Sequence, residues 1–138
     1  RGELIKALLI VEREHIDPPE MIGSWAGAMG QTQFMPSSFL RFAVSYRGGA
    51  APDIWHRRDD VFASIANYLQ RVGWRAGEPW GEEAASGTPA RKGERIVRPA
   101  GANGPAYRTT ANFRVILRWN QSDFFGLAVG LLSDRIAA

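Results

Sequence analysis

Apolar residues recur at the spacing of an α-helix in five stretches of the chain, with polar or helix-breaking residues between them. The first stretch shows the pattern: Leu4, Leu8 and Val11 fall on one side of a helix, and Pro18 follows the last turn. The predicted helices cover residues 3–14, 36–46, 59 or 60 to 72, 112–119 and 122–136.

The pattern also predicts which side of each helix is buried. In the third helix, Asp59 or Asp60 is expected to cap the first turn. Its predicted buried face consists of Val61, Ile65, Leu69 and Val72. The predicted buried face of the last helix consists of Phe124, Leu127, Ala128, Leu131 and Leu132.

Two stretches lack any clear period. Residues 20–35 mix glycines with Met, Trp and Phe, and therefore form a loop or a broken helix. Residues 75–111 are rich in Gly and Pro and are predicted to be mostly loop, with one short strand at residues 95–98. Together these features predict one compact, α-rich domain over residues 1–138.

Composition narrows the class of protein. With 138 residues, 45% of them hydrophobic, and a net charge of +3, the chain can fold around a core and is not intrinsically disordered. No apolar run approaches the ~18 residues that cross a bilayer. Cysteine is absent, which excludes disulfides, thiolate zinc sites and a cysteine nucleophile.

The charge balance permits an anionic partner. The sequence pI is near 9.8 and 15 of the 17 basic residues are Arg, which suits nucleic acid or a cell-wall polymer. The basic residues are scattered among 14 carboxylates, and no nucleic-acid recognition motif is present. His15 and His56 are far apart and lie in no ligand pattern, so no metal site is expected there.

The densest candidate for chemistry is residues 23–38, Gly-Ser-Trp-Ala-Gly-Ala-Met-Gly-Gln-Thr-Gln-Phe-Met-Pro-Ser-Ser. Small residues let a ligand approach the backbone, and Trp25 and Phe34 offer flat apolar faces on which a sugar ring can stack. The amides of Gln31 and Gln33 suit hydroxyl and N-acetyl groups. A buried glycine-rich turn between two helices is the structural alternative.

This run resembles the central motif of the lytic murein transglycosylase B family, bacterial enzymes with a goose-lysozyme-like fold that cleave peptidoglycan. Further matching segments follow in the family's order, at residues 53–55, 64–69, 73–75, 77–81, 112–120 and 128–136. The resemblance implies a mainly α, lysozyme-like α+β fold with a loop-rich insert that holds a short strand.

The resemblance also assigns roles to particular residues. Ser24 and Gln33 are expected to line the cleft beside the catalytic acid, and Tyr68 is expected to face the same cleft. Asn120, next to Trp119, is expected to contact sugar. Phe125 is assigned to an aromatic wall of the site, and Met29 and Phe34 are assigned to its floor. For all three residues a plain core position is the alternative.

The activity that the resemblance implies is non-hydrolytic cleavage of the β-1,4 bond between N-acetylmuramic acid and N-acetylglucosamine. One Glu protonates the leaving oxygen and then acts as base, while the C6 hydroxyl of the muramic acid attacks its own anomeric carbon to give a 1,6-anhydro sugar. Peptidoglycan strands are the expected partner of a monomer in the periplasm or cell envelope, with no cofactor, metal or nucleic acid. An outer-membrane anchor is expected in an upstream segment.

Two features depart from the family. Its catalytic Glu lies in a Glu-Ser-x-Tyr/Phe-Gly-like segment that this sequence lacks, and Glu12 and Glu14 lie on the polar side of the first helix. The acid is therefore expected upstream of Arg1, and the chain alone is expected to be inactive. Residues 45–53, where some members bind calcium, contain one carboxylate, so calcium is not expected there. A non-catalytic glycan-binding module is the alternative function.

Overall fold

The computed structural model describes residues 1–85 and 87–138, which form two compact units, residues 1–68 and 69–138. The α-helices of the described residues are α1 (Gly2–Glu14), α2 (Pro36–Phe42), α3 (Arg58–Arg71), α4 (Ala111–Leu117) and α5 (Asp123–Ala137). The strands are β1 (Gly81–Ala84), β2 (Arg95–Val97) and β3 (Ala106–Thr109). The predicted mainly α fold with a small β element is confirmed, whereas a single domain over residues 1–138 stays a prediction.

In the first unit, α1 packs through a different side from the one that its leucines mark. Ile10 is fully buried, whereas Leu4 and Leu8 are 64% and 62% exposed. The contact with α2 explains the difference, because the Glu3 carboxylate accepts a hydrogen bond from the backbone N–H of Ser37 at 2.9 Å. Glu3 and Ile10 share a side of α1 that is turned away from the leucine stripe.

The buried side of α3 combines apolar and polar residues. Val61, Ser64 and Tyr68 are buried, whereas Ile65 and Leu69 are only half-buried, so the predicted face is rotated. The Ser64 hydroxyl is satisfied by the backbone, since it accepts from the N–H of Val44 and donates to the same residue's carbonyl. A satisfied hydroxyl can occupy a core position that a count of apolar residues assigns to its neighbours.

Asp60 lies inside α3, which begins at Arg58, so the prediction that Asp59 or Asp60 caps the helix is wrong. The Asp60 side chain is buried and accepts hydrogen bonds from the backbone N–H groups of Tyr46 at 2.8 Å and Asp53 at 3.0 Å. Burial alone would raise the pKa of Asp60, but these two N–H donors and the nearby arginines outweigh it and lower the pKa. An ionised carboxylate therefore closes the loop between α2 and α3.

The second unit contains a three-stranded antiparallel sheet in the order β1-β3-β2. Only β2 was predicted. β1 has the sequence Gly-Glu-Glu-Ala, which contains no β-branched or aromatic residue, and β3 lies in the Gly- and Pro-rich stretch that was predicted to be loop. The buried core beside the sheet consists of Trp80, Val97, Phe113, Ile116 and Leu127.

Glycine determines how α5 packs in this unit. A Cβ atom at Gly130 would lie 2.3 Å from the Trp80 ring, so only glycine leaves room for the indole. The buried residues of α5 are Gly126, Leu127 and Gly130, whereas Phe124 and Leu132 are 68% and 58% exposed. The predicted apolar face of this helix is therefore wrong except at Leu127. No helix of the described residues is both long and apolar enough to span a bilayer.

Candidate functional site

Residues 22–35 form two tight turns held by backbone hydrogen bonds. Met29 and Phe34 pair in both directions, with N–H to carbonyl distances of 2.8 and 3.2 Å. The N–H of Ser24 donates to the carbonyl of Ala28 at 2.7 Å, which closes the other turn. The segment is thus an ordered loop rather than a broken helix.

The turns are anchored to residues 54 and 55. The N–H of Gln31 donates to the Ile54 carbonyl at 2.9 Å, and the Trp55 indole N–H donates to the Ile22 carbonyl at 2.8 Å. Gly30 has φ +57, and a Cβ atom there would lie 2.7 Å from the Ile54 oxygen. Glycine is required at this position both by its backbone conformation and by the close approach of the neighbouring chain.

Ser24 and Gln33, both exposed, line one open cavity of about 410 Å³. The Ser24 Oγ accepts a hydrogen bond from the N–H of Ala28 at 3.1 Å, which leaves its O–H free to donate. The Gln33 Nε2 donates to the Gly30 carbonyl at 2.9 Å, and within the described residues its amide oxygen accepts no hydrogen bond. The cavity therefore presents one hydroxyl donor and one amide acceptor on a rigid backbone.

The other predicted residues of the first unit belong to its core. Met29, Phe34 and Tyr68 are only 3%, 2% and 8% exposed. The Phe34 and Tyr68 rings lie 5.9 Å apart, and the Tyr68 and Phe42 rings lie 4.7 Å apart. Phe34 and Tyr68 are therefore packing residues of this core, whereas Met29 also lines a second cavity.

Trp25 is the most exposed large apolar side chain described, at 101%. It borders this second cavity of about 520 Å³, which Ser24 and Met29 also line. The two aromatic residues proposed as sugar-stacking faces therefore differ: Phe34 is buried, and only Trp25 presents its ring to solvent.

Sequence reasoning missed two residues of the first cavity. Trp55 and His56 line it together with Ser24 and Gln33. Both backbone N–H groups donate to the Asp53 carboxylate, at 3.0 and 2.9 Å. The sequence signal for these residues is the Asp53-Ile54-Trp55 block, which matches the family.

Glu3 is the one carboxylate among the described residues that line these two cavities. Its Oε2 accepts the N–H of Ser37 at 2.9 Å, and this hydrogen bond is the main cause that lowers the pKa of Glu3; burial opposes it and Lys6 adds to the lowering. A general acid must hold its proton near neutral pH, so its pKa must be raised. Glu3 is therefore unsuited to that role.

The remaining predicted site residues belong to the second unit. Asn120 is exposed, and its side-chain oxygen accepts the N–H of Ser122 at 3.0 Å. Trp119 is half-buried, and Phe125 packs against the core around Trp80. Their participation in a common site with Ser24 stays a prediction.

Comparison with known families places these features in context. The model of the transglycosylase SLT domain matches residues 1–92 and 84–134. The chain belongs to this family.

Solved structures agree with this assignment. SltB3 from Pseudomonas aeruginosa, in complex with NAG-anhNAM-pentapeptide, is 37% identical and superposes with a TM-score of 0.89, covering 99% of this chain and 46% of that one. The Escherichia coli lytic transglycosylase Slt35, in complex with calcium, is 30% identical with a TM-score of 0.82, covering 99% and 52%. The lysozyme-like fold implied by the sequence is therefore confirmed.

Among curated proteins, the membrane-bound lytic murein transglycosylase B of Escherichia coli K12 is 32% identical over 164 residues. The match covers 99% of this chain and 45% of that protein. The chain thus spans about half the length of the relatives that it matches.

Proposed function

We propose that the protein containing this chain is a peptidoglycan lytic transglycosylase. It cleaves the β-1,4 bond between N-acetylmuramic acid and N-acetylglucosamine without water and leaves 1,6-anhydro ends. The observation that carries the proposal is that Ser24 and Gln33 line the same open cavity, in a chain of the transglycosylase SLT family. Both residues lie on the two tight turns of residues 22–35, called the double turn below.

In the proposed reaction this cavity has to hold the substrate in the orientation that allows the attack. Attack by a hydroxyl of the substrate competes with water only when that hydroxyl is held in line. The Ser24 O–H is free to donate, and the Gln33 amide oxygen is free to accept, so together they can hold hydroxyl or N-acetyl groups. Both groups are fixed by backbone hydrogen bonds, which reduces the entropy lost when substrate binds.

The acid in this proposal comes from a part of the protein other than residues 1–138. Glu3, the carboxylate at the second cavity, has a lowered pKa and is held by the Ser37 N–H and Lys6. One essential carboxylate suits an intramolecular attack, which has no need of the spaced pair found in ordinary glycosidases. The chain alone is then a substrate-binding portion without catalysis.

Trp25 provides a stacking face in this account. An indole that is fully exposed gains apolar contact area only when a ligand covers it. Sugar rings have apolar C–H faces that match a flat aromatic surface. Peptidoglycan strands are the proposed partner of a monomer in the cell envelope.

Product analysis tests the proposal. Purified peptidoglycan is incubated with the longer parent protein and, separately, with the 138-residue chain, and the products are identified by mass spectrometry. We expect 1,6-anhydro products from the parent and none from the chain. Hydrolytic, reducing-end products from the parent would contradict the proposed reaction, and 1,6-anhydro products from the chain would contradict the external acid. Glycan binding without cleavage by the parent would favour a binding module.

A further inference from the structure

A third cavity, of about 580 Å³, lies entirely within the second unit. Charged side chains dominate its lining. The cations are Arg75, Arg91, Lys92, Arg108 and Arg114. The carboxylates are Glu78, Glu82 and Glu94. Positive charge is therefore in excess at this cavity.

All three carboxylates form ion pairs, and they do so with only two of the cations. Arg75 pairs with Glu78 at 3.3 Å. Arg108, only 12% exposed, pairs with Glu82 at 2.8 Å and with Glu94 at 3.5 Å. The Nε of Arg108 is buried, and it is the atom that lies 3.5 Å from the Glu94 carboxylate.

Three cations remain without a carboxylate. The Arg114 guanidinium donates to the Gly93 carbonyl at 2.7 Å, which fixes its position but does not neutralise its charge. Arg91 and Lys92 are exposed, and neither side chain has an ion pair among residues 1–85 and 87–138. The field in the cavity therefore favours an anion.

The loop that carries Arg91 and Lys92 is held in place. The Arg91 N–H donates to the Glu94 carboxylate at 3.1 Å, and the Glu94 N–H returns a bond to the Arg91 carbonyl at 3.0 Å. Glu94 is in turn paired with Arg108 on β3, and Gly93 is bonded to Arg114 on α4. Two unpaired cations are thus presented from a braced turn, which lowers the ordering cost of binding.

We propose that this cavity binds carboxylate groups of the peptide that a peptidoglycan strand carries, with Arg91, Lys92 and Arg114 as the binding residues. The inference rests on the proposed function for the identity of the ligand. Arginine recognises carboxylates through paired N–H donors, and charge-assisted hydrogen bonds are stronger than neutral ones.

The test is a nuclear magnetic resonance titration of the 138-residue chain with the N-acetylated acidic dipeptide Ala-Glu, called Ala-Glu below, and with its uncharged N-acetylated diamide. We expect Ala-Glu to shift the amide signals of residues 91–94 and 114, and the diamide to bind much more weakly. The double variant R91Q/K92Q should bind Ala-Glu about tenfold more weakly, as the loss of charge-assisted contacts predicts. The variant R13Q/R58Q removes the same charge from exposed positions elsewhere and should bind normally.

Four results would overturn the inference: equal binding of the diamide, unchanged Ala-Glu binding by R91Q/K92Q, an equal loss in R13Q/R58Q, or inorganic phosphate binding as tightly as Ala-Glu. Thermal unfolding of each variant checks that weaker binding of Ala-Glu does not result from loss of the folded structure. A titration with an N-acetylglucosamine tetramer keeps the two proposals apart, because it carries no peptide. If R91Q/K92Q binds both the tetramer and Ala-Glu as tightly as the unmodified chain does, only this inference is refuted. If the unmodified chain does not bind the tetramer, that result counts against the proposed function.

Discussion

The glycine-rich double turn and the core of the second unit use the same residue types for opposite purposes. Trp25 is fully exposed, whereas Trp80 is 5% exposed and its indole N–H donates to the Asp134 carboxylate. Gln33 keeps a free amide oxygen at a cavity, whereas the Asn112 amide is completely buried. A residue's chemistry therefore becomes functional only where the backbone leaves it unsatisfied and accessible.

The Asn112 side chain is the strongest structural counterpart to Gln33. Its oxygen accepts the Arg75 N–H at 2.8 Å, and its Nδ2 donates to the carbonyls of Arg75 at 2.9 Å and Glu78 at 2.7 Å. These bonds join the loop before β1 to the start of α4. Removing the amide takes the partner from two part-buried backbone groups, the Arg75 N–H and the Glu78 carbonyl, whereas the Arg75 carbonyl keeps the bond from the Glu78 N–H at 3.3 Å.

Asn112→Ala should have the largest effect on stability, lowering the free energy of unfolding by about 3–4 kcal/mol. Urea denaturation measures this change. Asn120→Ala, at an exposed position, should change stability by less than about 0.5 kcal/mol. Equal values for the two variants would show that the Asn112 network contributes little.

Gly130→Ala should rank second, with a loss of about 1–3 kcal/mol, because the added methyl group collides with the Trp80 ring. The same denaturation series checks it. Ser133→Ala, on an exposed position of the same helix, is the matched control and should be neutral or slightly stabilising. A neutral Gly130→Ala would mean that Trp80 moves aside freely.

Asp60→Asn should cost about 1–2 kcal/mol at neutral pH, since a neutral amide is a weaker acceptor for the N–H groups of Tyr46 and Asp53. The folded pKa of Asp60 lies below its unfolded value, so its contribution is present above about pH 4 and is lost as pH falls through the folded pKa. The gap between wild type and variant should therefore narrow on acidification. Asp59→Asn, whose carboxylate lies 3.7 Å from Arg47 at the surface, should show almost no gap at any pH.

Gln33→Ala should have the smallest effect on stability, below about 0.5 kcal/mol, and a large effect on glycan binding, about tenfold. Isothermal titration with an N-acetylglucosamine tetramer measures the binding. Gln70→Ala, at an exposed position of α3, should leave both quantities unchanged. If Gln33→Ala instead unfolds the domain, its bond to the Gly30 carbonyl is structural and the assigned role is wrong.

The helices were predictable because periodic apolar residues mark them, and the motif blocks predicted the family. The sides that pack were harder to predict. Gly126 and Gly130 carry no hydropathy signal, yet the rings of Phe113 and Trp80 pack directly against them. The burial of Ser64 depends on a hydroxyl that bonds to residue 44, which no local pattern reveals.

The candidate site shows the same limit. Residue type predicted the chemistry of Ser24 and Gln33, whereas the contribution of Trp55 depends on a hydrogen bond across 33 positions to Ile22. Phe34 and Trp25 both qualified as sugar-stacking faces in the sequence, but Phe34 is buried and Trp25 is exposed.

The most direct test of the central claim is a nuclear magnetic resonance titration of the chain with the N-acetylglucosamine tetramer. We expect the shifts to cluster in residues 22–33 and at Trp55 and His56, with little change around Asn112 and Trp80. Shifts absent from the double turn, or concentrated in the second unit's core, would contradict it.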